Sequence, residues 1–329
     1  VITRRRTLAM TALAAAAALT LTACGTTEEA STDAGAKPAG EQITLTDGTG
    51  AEVTLDGPAT KVVGTEWNVV ENLVSLGVDP VGVADVAGYG AWSSAVPLVN
   101  EPADIGTRGE PSVETIASLA PDLIVATTDL PADAVEQLKA IAPVLQVKSA
   151  DGTKQIQRSE DNLELIAKAT GTEDKATAVI GAYDQAVTDA KAKLDAAGLA
   201  GSRFLFADAY VDAGAVTIRP FGTGSLVGDV TAELGLENAW TGEVDPAYGL
   251  GSTDVEGLTT VGDVQFVYNA NASQGDDPFA TQLAGNAVWQ SLPFVKAGEV
   301  HRMPEGVWVF GGPASMTAYV ADLADLLVG

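Results

Sequence analysis

The chain has 329 residues, with 18 Lys and Arg against 44 Asp and Glu, and a formal net charge of −26. One cysteine, Cys24, excludes an internal disulfide, a Cys–His catalytic pair and a thiolate metal site; one histidine, His301, excludes a histidine-cluster site for zinc or manganese. So acidic a chain is not expected to bind nucleic acid.

Residues 1–23 have the three parts of a secretory signal. Arg4, Arg5 and Arg6 form the basic end, and Leu8 to Leu21 the apolar middle, which is shorter than the ~20 residues a membrane span needs. Leu21-Thr22-Ala23 then precedes Cys24, the pattern at which a bacterial lipoprotein precursor is cut and lipidated. The expectation is a lipid on Cys24 that ties the protein to the outer face of the cytoplasmic membrane. Residues 24–42 are poor in large apolar side chains and read as a flexible tether. The signal holds three of the 18 basic residues and no acid, so residues 24–329 carry 15 against 44, a net of −29.

Strands and helices then alternate, which predicts an α/β fold with parallel sheets covered on both faces. In residues 43–150, Lys61 to Gly64 reads as a strand, Asn68 to Leu76 as a helix stopped by Gly77, and Val78 to Val83 as a second strand. Glu114 to Leu119 and Ala132 to Ile141 read as helices, Asp122 to Ala126 and Val144 to Val147 as strands. Residues 151–199 are helical: Gln155 to Ala169 is amphipathic, Gly171 breaks it, and a new helix runs from Thr172 to Ala197. In residues 200–329 the strands are Arg203 to Ala207, Val264 to Tyr268 and Val300 to Met303, and the helices are Leu226 to Leu234, Glu256 to Val261 and Ser315 to Leu327. The two halves share a plan: Val113 to Leu119 parallels Val255 to Val261, and Leu76-Gly77-Val78 parallels Leu234-Gly235-Leu236. The prediction is two Rossmann-like lobes, each a parallel-rich sheet flanked by helices, joined by one long rigid helix, with a ligand between them.

Ile105-Gly106-Thr107-Arg108-Gly109-Glu110-Pro111-Ser112-Val113-Glu114, with Leu119-Ala120-Pro121-Asp122 after it, resembles the signature of the helical-backbone solute-binding proteins. These serve ABC importers of ferric siderophores and cobalamin. Glu66-Trp67, Leu76 to Asp85, Asn238-Ala239-Trp240, Trp289 to Gly298 and Val307 to Gly312 extend the resemblance over nearly all of residues 43–329, closest to the ferric-hydroxamate type. It implies that Arg108 meets the iron-bound hydroxamate oxygens and that Trp92, Tyr248, Trp308 and Phe310 are pocket aromatics. It also implies that Glu114 and Glu256, one per lobe, dock on a permease, although an acid in a first helical turn also favours the helix dipole on its own account. Trp67 and Tyr89 are further aromatic candidates, and Arg219 is the arginine expected from the second lobe, with Arg302 a weaker third. Trp240 and Trp289 are assigned to packing. One departure stands out: where the family has a pocket tyrosine, this chain has Thr128-Asp129-Leu130-Pro131.

The chemistry suits these residues. A ferric trihydroxamate arrives with all six iron positions filled, so the protein needs no metal ligand and no cofactor of its own. It needs aromatic area and charge-assisted donors, which arginine supplies in a fixed fork. The expected function is therefore a lipid-anchored monomer that captures a ferric siderophore and delivers it to an ABC permease. Cobalamin, ferric citrate and a ferric catecholate are alternative ligands. A surface-anchored hydrolase is the alternative of another class; it would need His301 as its base, and the chain has no G-x-S-x-G elbow to supply the nucleophile.

Overall fold

The computed structural model describes residues 42–329; the expected signal, Cys24 and the tether through residue 41 lie outside the described residues. The first structured element is a hairpin of β1 (Ile43–Thr46) and β2 (Glu52–Leu55). Alternation places Leu45, Val53 and Leu55 on the core, while the Asp47 carboxylate closes the turn by accepting from the Thr49 and Ala51 amides.

The N lobe continues as β3 (Val62–Gly64), α1 (Trp67–Ser75), β4 (Gly82–Val83), α2 (Val86–Trp92), β5 (Ala103–Asp104), α3 (Val113–Leu119), β6 (Leu123–Thr127), α4 (Ala132–Lys139) and β7 (Val144–Val147). Its five strands are all parallel, in the order β5-β4-β3-β6-β7. Successive residues face opposite layers: Val62, Leu123 and Val125 pack with Leu73 of α1, and Val63, Ile124 and Ala126 with Ile116 and Leu138 of α3 and α4. The expected strand from Val78 is reduced to Gly82–Val83, since Pro80 has no N–H to give a ladder.

Two helices then link the lobes. In α5 (Gln155–Thr170), Ile156 packs on the core of the C lobe and Leu163, Ile166 and Ala167 on that of the N lobe. Gly171, at φ 68°, ends it in the left-handed conformation that glycine tolerates. The next helix, α6 (Glu173–Ala196), buries Ala176 in the N-lobe core and Tyr183, Val187 and Leu194 in the C-lobe core. Its 24 residues span roughly 36 Å at ~1.5 Å each. The single strut expected from the sequence is thus a pair, because the apolar stripe of α5 also reaches both cores.

The C lobe comprises β8 (Arg203–Asp212), β9 (Ala215–Pro220), α7 (Leu226–Glu233), β10 (Glu237–Asn238), β11 (Gln265–Asn269), α8 (Ala287–Ser291), α9 (Pro293–Ala297), β12 (Val300–Arg302) and α10 (Pro313–Val328). Strands β10-β8-β11-β12 are parallel, and β9 turns back antiparallel on β8. Residues 256–261 form a 3-10 turn, Gly257–Thr260, with Glu256 at its cap, rather than the expected α-helix.

Candidate functional site

In an open parallel sheet, side chains just beyond the carboxyl ends of the strands face the ligand crevice. Here the two lobes turn those ends toward each other. Glu66 and Trp67 come after β3, Thr127 and Asp129 close β6, Lys148 and Ser149 come after β7, and Asp208 to Tyr210 lie where the pairing of β8 with β11 ends. Together with Trp308, Val309 and Phe310 they wall a cleft of about 640 Å³. Its floor is polar, formed by Asn68 and Asn72 of α1 and by Gln155, Arg158, Ser159 and Asn162 of α5.

Arg108 enters from the loop between β5 and α3. Its Nη1 donates to Glu66 Oε1 at 2.8 Å, and its Cζ lies 4.0 Å from the Trp67 ring centroid and 5.3 Å from that of Trp308. Trp67 is almost fully buried and donates its Nε1–H to the Ala84 carbonyl, so it reaches the cleft mainly as the platform beneath Arg108. Trp308 meets Trp67 edge-on at 4.9 Å and Trp92 at 5.8 Å, joining the lobes through three indoles. Phe310 meets Tyr248 at 5.9 Å. Of the expected site residues, Arg108, Trp67, Trp92, Arg219, Tyr248, Trp308 and Phe310 all line this cleft.

Tyr89 does not. It is fully buried, packs with Trp67, Val70 and Val83, and donates its hydroxyl to the Val96 carbonyl at 2.6 Å. A tyrosine with its one polar atom satisfied in this way is a core residue, and the expectation that it contacts ligand is corrected. Arg302 also lies away from the cleft, paired with Asp277 and Glu305. Trp289 is core, and Trp240 packs beside that cluster. Glu114 sits in the first turn of α3 and Glu256 at the cap of the 3-10 turn; both are exposed, and neither has an ion-pair partner among the described residues.

Arg219, on β9, stands directly opposite Asp208 on β8 and pairs with both its carboxylate oxygens; Nε to Oδ1 is 2.8 Å. Burial pushes the Asp208 carboxyl up, with the Arg219 hydrogen bonds acting against it. Asp129, in the Thr128-Asp129-Leu130-Pro131 segment after β6, accepts the Tyr248 hydroxyl across the cleft. Burial and that neighbouring acid push the phenol up. Arg158 and Lys148 both pair with Asp151. Every base lining the cleft therefore has an acid partner, and its walls are close to neutral with aromatic faces between the pairs. Sequence reasoning missed Glu66, Asp208 and Asp129; a signal for the first was its place next to Trp67 at the mouth of α1. Among the described residues, no group of three or more His, Cys, Asp and Glu side chains could hold a metal, and no helix is long and apolar enough to cross a membrane.

Comparison with known proteins places these features. A family model described as periplasmic binding protein matches residues 62–306. The iron(3+)-hydroxamate-binding protein FhuD of Escherichia coli (strain K12) is 29% identical over 271 residues, covering 82% of this chain and 87% of that protein. The probable siderophore-binding lipoprotein YfiY of Bacillus subtilis (strain 168) is 26% identical over 323 residues, 93% of each chain. Among solved structures, the siderophore-binding protein FhuD of Vibrio cholerae bound to Fe3+-Desferal has a TM-score of 0.72 at 25% identity, covering 82% of this chain and 98% of that one.

Proposed function

We propose a function from one premise: the chain belongs to the periplasmic binding protein family, as the match over residues 62–306 establishes. We infer that it captures a ferric siderophore between its lobes and hands it to an ABC permease, without catalysing a reaction. The observation that carries this reading is the cleft itself. Its volume of about 640 Å³ suits one bulky chelate, its walls are aromatic, and each of its bases pairs with a carboxylate, Lys148 and Arg158 sharing Asp151.

That charge balance favours a hydroxamate. Ferric catecholates and citrates are anionic and would call for unpaired bases, whereas a ferric trihydroxamate is neutral or cationic and asks for ring faces and a donor or two. Arg108 is placed for the donor role, because only Nη1 is engaged by Glu66 and the remaining N–H groups have no partner among the described residues. Tyr210, half exposed at the cleft mouth, adds an aromatic that the sequence did not single out. Tryptophan fluorescence titrated with ferric and iron-free siderophores tests this. Saturable quenching by ferric hydroxamates, and weaker response to ferric citrate and catecholates, is expected; no response to any ferric hydroxamate would overturn the ligand class.

Delivery is the second part of the proposal. Glu114 and Glu256 project one acid from each lobe and are proposed to dock on permease arginines, with a lipid on Cys24 holding the protein at the outer face of the cytoplasmic membrane. Reversing both charges to lysine is expected to abolish uptake in cells and leave binding in solution unchanged. Normal uptake by that double variant, or retention of a Cys24→Ala protein in the membrane fraction, would refute the corresponding role.

A further inference from the structure

Among the described residues, Glu71 is a fully buried carboxylate without an ion-pair partner, and it bridges the lobes. Glu71 lies at 0% exposure in the middle of α1, the single charge in the apolar run from Val69 to Leu76. Its Oε1 accepts from the Gly312 amide at 2.9 Å and the Ser315 amide at 2.8 Å, and its Oε2 accepts from the Ser315 hydroxyl at 2.6 Å. Those donors belong to the opening of α10, where backbone N–H groups have no partner within the helix and where negative charge is favoured. The fit is close. A Cβ on Gly311 would lie 2.4 Å from Glu71 Oε2, and one on Gly312 would lie 2.2 Å from Asn72 Oδ1. A side chain at either position would have to displace the Glu71 carboxylate or the Asn72 amide.

The same chain segment carries the C-lobe aromatics. The Gly311 amide donates back to the Trp308 carbonyl at 2.9 Å, so a tight turn connects the seat of Glu71 to the two rings. Trp308 contacts Trp67 and Trp92 from the N lobe, and Phe310 contacts Tyr248 and Phe221 from its own. We propose that Glu71 is the positioning residue of the capture site: from α1 it fixes the first turn of α10, and through that turn the placement of Trp308 and Phe310 against the ligand. This rests on the reading of the cleft as the capture site.

The arrangement makes capture sensitive to pH. Burial pushes the Glu71 carboxyl up to about 7, with the bonds from Ser315 and Gly312 acting against it. Tyr89 of α2 feels the Glu71 charge; its phenol is pushed up by burial and by Glu71 and so stays neutral. The groups that donate to the carboxylate, Gly312 and Ser315 at the start of α10, carry no charge. Hydrogen bonds to an ionised acceptor are stronger than those to a neutral one, so the turn is held harder above pH 7 than below it. Stability runs the other way. The folded state keeps a proton on Glu71 that the unfolded chain has lost above about 4.5, so this group's contribution to stability falls as pH rises from about 4.5 through 7.

The experiment uses wild type, Glu71→Gln and Glu71→Ala with ferric desferrioxamine B as the probe. Wild type is expected to bind several-fold more tightly at pH 8 than at pH 6, while its thermal midpoint, compared with that of Glu71→Gln, falls over the same interval. Glu71→Gln is expected to show affinity that is flat with pH and close to that of wild type at pH 6. A ligand-free readout accompanies this: at pH 8, hydrogen exchange over residues 307–316 should accelerate about tenfold in Glu71→Ala, or in Glu71→Gln if the alanine variant does not fold. If wild type fails to bind the probe, the hydroxamate reading fails, and the exchange data alone judge Glu71. Unchanged exchange over 307–316, or a Glu71→Gln protein with the pH profile of wild type, overturns the proposal.

Discussion

The two lobes each bring one arginine–carboxylate pair to the same cleft, yet they build it differently. In the N lobe Arg108 comes from a loop, gives one hydrogen bond to Glu66 and sits over the Trp67 ring. In the C lobe Arg219 comes from a strand, faces Asp208 across the ladder and gives it two hydrogen bonds, with Phe310 further off at 5.8 Å. The first guanidinium is oriented by a ring face and keeps donors in reserve. The second is committed to a carboxylate that the sheet has mostly buried. Both pairs neutralise the cleft, but only the N-lobe pair leaves much for a ligand to use. The difference comes from backbone context: cross-strand partners are set by register, whereas a loop residue is free to be set by what it stacks on.

The largest expected effect sharpens this contrast. Arg108→Ala removes a charged donor and uncovers Trp67, and a hydrogen bond to a charged group is worth ~1.5–3 kcal/mol, so affinity for a ferric hydroxamate should fall about tenfold to a hundredfold. Stability should change little, because the side chain is one-third exposed and leaves behind only a partly solvated Glu66. Arg219→Ala should show the reverse pattern. It strands Asp208, and leaving a mostly buried acid without its donor should cost roughly 1–3 kcal/mol of stability, with a smaller loss of affinity than Arg108→Ala causes. Titration and thermal unfolding of the two variants side by side would decide it. Equal affinity losses would mean that the C-lobe pair opens to the ligand and the contrast is wrong.

Much of this architecture was legible. The alternation of short apolar strands with helices stopped by Gly77 and Gly235 gave the parallel sheets, and the resemblance around Arg108 led to the cleft and to seven residues that line it. The β1–β2 hairpin also carries a local signal, with Ile43-Thr44-Leu45-Thr46 and Glu52-Val53-Thr54-Leu55 alternating around Asp47-Gly48. The β8–β9 hairpin was harder: Asp208, Tyr210 and Asp212 interrupt its apolar residues, and its tight turn at Ala213-Gly214 lacks the usual Asn or Asp. The two-residue strands β4, β5 and β10 carry almost no local pattern. What no window could show were the long-range pairs. Glu71 meets Ser315 across 244 residues and Tyr248 meets Asp129 across 119, and a buried acid in an apolar helix signals only that some partner must exist.

The smallest expected effect tests the boundary between wall and core. Tyr89 lies three residues before Trp92 on the same short helix, and the two share an aromatic cluster with Trp67 and Trp308. Only Trp92 reaches the cleft; Tyr89 points inward and its hydroxyl is spent on Val96. Tyr89→Phe keeps the ring and loses that one bond, at about 1 kcal/mol, with the Val96 carbonyl left to find another donor. Thermal unfolding should register the loss, and the ferric-hydroxamate titration should not. An affinity drop approaching that of Arg108→Ala would place the phenol in contact with ligand, and the inner layer of this cluster would then belong to the site rather than to the fold.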